Sequence, residues 1–153
     1  MSSPAADVLI APYTLQYKYR RSLGPILSAF VTGLRDGRIL GSPTSAGVVV
    51  PPIEYDPSTA ATIDPDTLVE VGTRGVVETW TWVAAPRELH PLQRPFAYAM
   101  IRLDGANTAM LHVVDTGGDA DAMTTGMRVT VRWADERGTG ITDIACFVPE
   151  EAA

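Results

Sequence analysis

The later two thirds of this chain are written in β-type stretches separated by turn residues, and that pattern leaves few folds open. Val69–Val83 (VEVGTRGVVETWTWV) and Met127–Trp133 (MRVTVRW) alternate in side-chain character, and Pro95–Leu103, Thr108–Val114 and Ile141–Val148 are apolar runs of strand length. A period of two places alternate residues on opposite faces of a half-buried strand. Gly72 and Gly75 interrupt the first run where a bulge or sharp bend is needed. Asp104-Gly105-Ala106-Asn107 joins the second run to the third as a hairpin turn. Five such strands with bulge glycines predict a small closed barrel of the OB type. Its long loops are the Pro-rich stretch 85–94 and the Asp/Gly-rich stretch 115–125.

Upstream, residues 1–12 read as a loose terminus, and Leu15, Tyr17 and Tyr19 alternate as an extended arm. Ser22 to Asp36 carries Leu23, Ile26, Leu27, Phe30, Val31 and Leu34, the spacing of an amphipathic helix. Pro25 suits its first turn and Gly37 its C-terminal cap. Between helix and barrel lies Leu40–Ala60, LGSPTSAGVVVPPIEYDPSTA. Two turn tetrapeptides, Ser42-Pro43-Thr44-Ser45 and Asp56-Pro57-Ser58-Thr59, flank Val48-Val49-Val50. Cysteine at Ser42, Ser45, Asp56 and Thr59 would give C-x2-C-x10-C-x2-C, the ligand spacing of a tetrahedral zinc ribbon. None of the four is cysteine, and hydroxyls are poor zinc ligands. The segment therefore reads as a ribbon without its metal. The expected fold is mainly β: an arm at 1–21, a helix at 22–39, a degenerate rubredoxin-like ribbon at 40–62, then a five-stranded OB-fold barrel at 63–150.

At 153 residues the chain is long enough for one domain with a real core. Its net charge of −6 argues against nucleic acid as the main partner, because phosphate neutralisation dominates such binding. The only dense basic cluster is Lys18-Tyr19-Arg20-Arg21. The single cysteine, Cys146, sits in an apolar run, as a buried inert thiol does. The first residues lack the basic and long apolar regions of a signal peptide. No apolar stretch approaches the ~20 residues that span a bilayer. The expected location is cytoplasmic, away from membranes.

Nothing in the sequence assembles a catalytic constellation. A nucleophile would need a histidine held by a carboxylate, and only His90 and His112 exist. His112 is opposite in phase to Leu111 and Val113, which predicts a solvent-facing or interface position. His90 stands in a loop beside Pro91. Trp80 and Trp82 share one strand face, expected to be core. No phosphate-binding loop, dinucleotide fingerprint or metalloprotease helix motif is present.

The order of helix, ribbon and barrel resembles the DUF35 family of acyl-CoA-associated proteins. The residues that carry the resemblance are Gly33–Leu40, Ala46–Pro52, Gly72–Val77 leading into Thr79-Trp80-Thr81, Pro95–Tyr98, Leu103-Asp104-Gly105 and Gly126–Val129. Together they span roughly residues 20 to 150. Family members usually carry four zinc-binding cysteines where Ser42, Ser45, Asp56 and Thr59 stand here, so no metal is carried over. Structural zinc contributes on the order of 10 kcal/mol in isolated modules, and turn hydrogen bonds, packing or a partner must replace it. The resemblance implies a non-catalytic subunit that docks on a thiolase-superfamily enzyme, either a thiolase or a steroid side-chain aldolase. It implies a hetero-oligomer of two plus two subunits, with the catalytic residues in the large one. Acyl-CoA would be shared with that partner, and no cofactor would be held by this chain alone. Lys18, Arg20 and Arg21 are then candidates for partner docking or for CoA phosphates, which arginine binds through its planar fork of donors. Docking is the preferred reading of the two. The alternative is a free-standing module that binds acyl-CoA or another small ligand.

Overall fold

The computed structural model describes residues 11–19 and 22–150. Residues 11–19 carry no regular secondary structure, and every residue among them is exposed. Helix α1 follows at Gly24–Arg35. Pro25 occupies its first turn, where a missing N–H costs nothing because that group has no intrahelical partner. Gly37, at φ +77°, ends it in a conformation that penalises a Cβ. There the N–H groups of Gly37 and Arg38 donate to the Leu34 and Gly33 carbonyls at 3.0 and 2.8 Å. Ile26, Phe30 and Leu34 form its buried stripe.

Strand β1 (Ile39–Thr44) is the centre of a three-stranded antiparallel sheet, between β2 (Gly47–Val49) and β3 (Val69–Val71). The stretch Val69–Val83 is therefore not one strand. Its first three residues pair with β1, Ile39 opposite Val71, whereas β4 (Arg74–Val83) enters the barrel. The break falls at Gly72-Thr73, whose backbone is claimed by the barrel: Gly72 N–H donates to Asp104 O at 2.8 Å and Thr73 O accepts from Val131 N at 2.9 Å.

The barrel closes in the order β4, β5 (Phe96–Leu103), β6 (Ala109–Val114), β8 (Ile144–Pro149), β7 (Arg128–Trp133). All pairings are antiparallel except β6 with β8, which meet in parallel at Val114 and Phe147. Gly75 is needed where β4 crosses β5, since a Cβ there would lie 2.6 Å from Arg102 O. Residues Ile141–Asp143, expected to open the last strand, form a 3-10 turn instead. The buried Asp143 carboxylate holds that turn by accepting from Gly138 N–H at 2.8 Å.

One core joins the parts. Val77, Ile101, Met110, Val129, Ile144 and Phe147 fill the barrel and continue into Phe30 and Leu34 of α1 and Ile39, Val50 and Val71 of the small sheet. Trp80 and Trp82 are partly buried against this cluster, so their shared face is core. A second cluster of Phe96, Val113 and Cys146 lies on the outside of the barrel beside Leu92 and Tyr98. Among the described residues no helix is long and apolar enough to cross a membrane.

Candidate functional site

The four positions with zinc-ligand spacing do not converge on a metal, because their polar atoms are already spent on each other and on the backbone. Ser42 is fully buried, and its Oγ donates to Ile53 O at 2.7 Å while accepting from Ile53 N–H at 3.0 Å. Asp56, only 7 % exposed, takes the place of a bridge between the two turns. Its Oδ2 accepts from Ser45 N–H at 2.7 Å; its Oδ1 accepts from Ser58 N–H at 2.8 Å and from Ser45 Oγ at 3.3 Å. The Ser45 and Ser58 backbone donors hold this carboxyl below its ordinary range. Thr59 Oγ1 accepts from Ala61 N–H at 3.3 Å, apart from the other three. One carboxylate and three hydroxyls are a poor zinc donor set in any geometry. No group of three or more His, Cys, Asp or Glu side chains gathers among the described residues.

The ribbon-like segment is also stitched to the barrel. Asn107 Oδ1 accepts from Val48 N–H at 2.9 Å, and Asn107 N–H donates to Val48 O at 2.7 Å. Thr108 Oγ1 accepts from Val50 N–H at 2.8 Å and donates to Val50 O at 2.9 Å. The β5–β6 hairpin thus grips β2 and the residue that follows it. Gly47, at φ +116°, makes the approach possible, since its Cβ would stand 2.0 Å from Asn107 Oδ1. A turn asparagine and a threonine are unremarkable in a sequence, so nothing there announced the contact.

Of the basic cluster, Lys18 is exposed, while Arg20 and Arg21 lie outside the described residues. The arm exposes Tyr13, Leu15, Tyr17 and Tyr19 at 61–84 %. The histidines divide. His90 stays in the 85–94 loop, where its Nδ1 accepts from Arg87 N–H at 2.8 Å and its ring meets Phe96 edge-on. His112 corrects the expectation of a solvent-facing ring. It packs edge-on against Phe147 with Nδ1 buried and unpartnered, and Leu111 is the exposed residue of the pair at 62 %. Burial, the largest influence, holds this imidazole below its ordinary value and so uncharged at neutral pH. The phase runs the other way round: Leu111 and Val113 take the outer face of β6, and His112 shares the inner face with Met110 and Val114, against Phe147 of the barrel core. Cys146 is fully buried and its thiol is pushed up by desolvation, far from a reactive thiolate.

Two features lie outside the sequence reading. Asp115, buried just beyond β6, binds two arginines from other elements. Arg94 reaches both carboxylate oxygens, with Nε 3.1 Å from Oδ1, and Arg132 Nη2 donates to Oδ2 at 2.6 Å. Gly117 N–H adds a bond to Oδ1 at 2.9 Å. Burial pushes this carboxyl up, but the bonds from Arg94, Gly117 and Arg132 outweigh it and bring it down to about 2. Next to it is an apolar groove of about 440 Å³ between the 91–92 loop, β5, β6 and the turn before β8.

Residues 68–134 match the family model for the C-terminal OB-fold domain of ChsH2. Comparison with curated proteins gives no match. Among solved structures, the fold is similar to that of a DUF35-family protein of unknown function from Sulfolobus solfataricus. That pair is 22 % identical at a TM-score of 0.58, covering 71 % of this chain and 77 % of that one. It is also similar to the Ltp2-ChsH2(DUF35) aldolase, 19 % identical at a TM-score of 0.59, over 85 % of this chain and 98 % of that chain. The barrel thus matches a ChsH2-type OB-fold model, and the chain shares its fold with two solved structures that carry the DUF35 name.

Proposed function

We propose that this chain is a non-catalytic accessory subunit that docks on a thiolase-superfamily enzyme, a thiolase or a steroid side-chain aldolase, and helps form its acyl-CoA site. The observation that carries this reading is the match of the barrel to the C-terminal OB-fold of ChsH2, together with fold likeness to an aldolase that pairs that protein with Ltp2. The side chains support it. Both histidines pack against aromatic rings, the His90 Nδ1 accepts from a backbone N–H, and the cysteine is buried with its thiol pushed up, which is not the arrangement of an activated nucleophile. The arm supports docking. Four large exposed side chains, Tyr13, Leu15, Tyr17 and Tyr19, recur at every second position with Lys18 among them, as in segments that add to a partner's surface. Lys18, with Arg20 and Arg21 next to it in the sequence, would supply positive charge for an acidic partner surface or a shared CoA phosphate.

The 40–62 segment belongs to the same proposal as a ribbon that has lost its metal, with the Asp56–Ser45 bridge tying the two turns where zinc would have tied them. Co-expression with a thiolase-like subunit tests the function. The two should co-purify, deletion of residues 1–19 should weaken the complex, and the isolated chain should show no thiolase or aldolase turnover. Robust turnover by the isolated chain, or no association with any thiolase-like subunit, would overturn it.

A further inference from the structure

The groove outside the barrel and the arginine pair at its end have a chemistry that partner docking does not use. Its walls are Leu92, Tyr98, Leu111, Val113, Ile141 and Ala145, an almost wholly apolar set. On β6, Leu111, Val113 and Asp115 follow one another at a spacing of two, so they share the outer face. Four residues of strand separate the first from the last, about 13 Å at ~3.3 Å per residue. Leu111 and Val113 line the groove, and the same face continues past them to Asp115 just beyond the strand. Leu92 also lines a neighbouring recess with Gln93 and Arg94, so the two meet at that residue and bring Arg94 to the side of the groove.

At that end two arginines share one carboxylate, which leaves one net positive charge. Asp115 is sunk, its side chain 1 % exposed, while Arg94 and Arg132 are 53 % and 47 % exposed. The carboxylate fixes the guanidinium groups from beneath, and their remaining N–H donors stay open to solvent. Two forks held in place are a pre-organised receptor for a carboxylate or phosphate oxygen. The rest of the lining carries no charge, since the buried imidazole of His112 is neutral. A long apolar cleft with a few convergent polar groups at one end is the form that small-molecule sites take.

We infer that this groove binds an elongated apolar molecule of about a ten-carbon chain's length whose anionic end pairs with Arg94 and Arg132. The site lies wholly on this chain, so it is tested without any partner, and its failure would leave the docking proposal standing. Titration calorimetry on the full chain would compare decanoate, decanol and decanoyl-CoA below their micelle concentrations. Decanoate should bind one-to-one at least ~10-fold more tightly than decanol, which lacks the charge-assisted bonds. Arg94→Gln, which leaves Asp115 its Arg132 partner, should lower decanoate affinity ~10-fold while hardly changing decanol. Leu111→Asp, at an exposed position, should weaken both. Unchanged melting temperatures would show that each variant is folded. Equal binding of decanoate and decanol would refute the role of the arginines. Binding of decanoyl-CoA alone, or of none of the three, would overturn the site altogether.

Discussion

Replacing Ser42 with alanine isolates the way a turn with zinc-ligand spacing is held without zinc. The hydroxyl is fully buried and makes two bonds to one residue, donating to Ile53 O and accepting from Ile53 N–H. Alanine fills nearly the same space but leaves both Ile53 groups without partners. An unsatisfied buried polar group costs ~1–3 kcal/mol. Ile53 is only partly buried, which places each group in the lower part of that range. The expected loss is about 2–3 kcal/mol, or about 5–10 °C in melting temperature for a domain of this size. Ser45→Ala is the internal control. It removes a 3.3 Å bond at an exposed side chain and keeps the 2.7 Å backbone bond to Asp56, so its effect should stay within ~0.5 kcal/mol. Urea unfolding followed by tryptophan fluorescence and far-ultraviolet circular dichroism would measure both. If the two variants differ by less than ~0.5 kcal/mol, the hydrogen-bond account of this turn is wrong.

Four further outcomes follow. Gly47→Ala puts a Cβ on Asn107 and strains a backbone at φ +116°, so it should cost about 1–3 kcal/mol or more by thermal melting, against little change for Gly138→Ala, which meets nothing. Asp115 titrates at about 2 in the fold and near ~3.9 when unfolded, so its contribution is present above pH ~4 and is lost as pH falls towards 2. Asp115→Asn should flatten the stability profile across that window, and an unchanged slope would argue against the arginine clasp. His112, held below its ordinary value, acts at milder acidity: the unfolded chain takes up its proton first as pH drops through ~6.5, which lowers stability there. His112→Phe should remove that part of the profile. Elemental analysis of the purified chain should find no stoichiometric zinc, and prolonged chelation should leave the melting temperature unchanged; a large drop would mean that metal holds the 40–62 segment.

Legibility in the sequence followed the range of the interaction. Helix α1 was readable because its apolar period, Pro25 and Gly37 lie within fifteen residues of one another. The hairpin at Asp104–Asn107 and the alternating β4 and β7 were readable for the same local reason. What failed involved distant chain. Val69–Val71 alternate as well as the residues after them, yet they pair with β1 because Gly72-Thr73 is drawn to Asp104 and Val131. His112 alternates with Leu111 and Val113, but the outer cluster of Phe96, Val113 and Cys146 draws Val113 outward, which leaves His112 on the inner face against Phe147.

By itself, then, the sequence determined a mainly β chain with one helix, the five strands of an OB-type barrel, and two turns with zinc-ligand spacing but no cysteine. These depend on residue type and short spacing, which the backbone reads locally. Only the tertiary structure decided how the turns are held without the ligands and where charge is concentrated. Asp56 bridges to Ser45 across eleven residues, Asn107 and Thr108 grip β2 from nearly sixty residues away, and Asp115 collects Arg94 and Arg132 from opposite sides of the sequence. Each of these is a polar pairing between residues at least eleven apart in the chain, made only when the fold brings them together, and no local pattern encodes it.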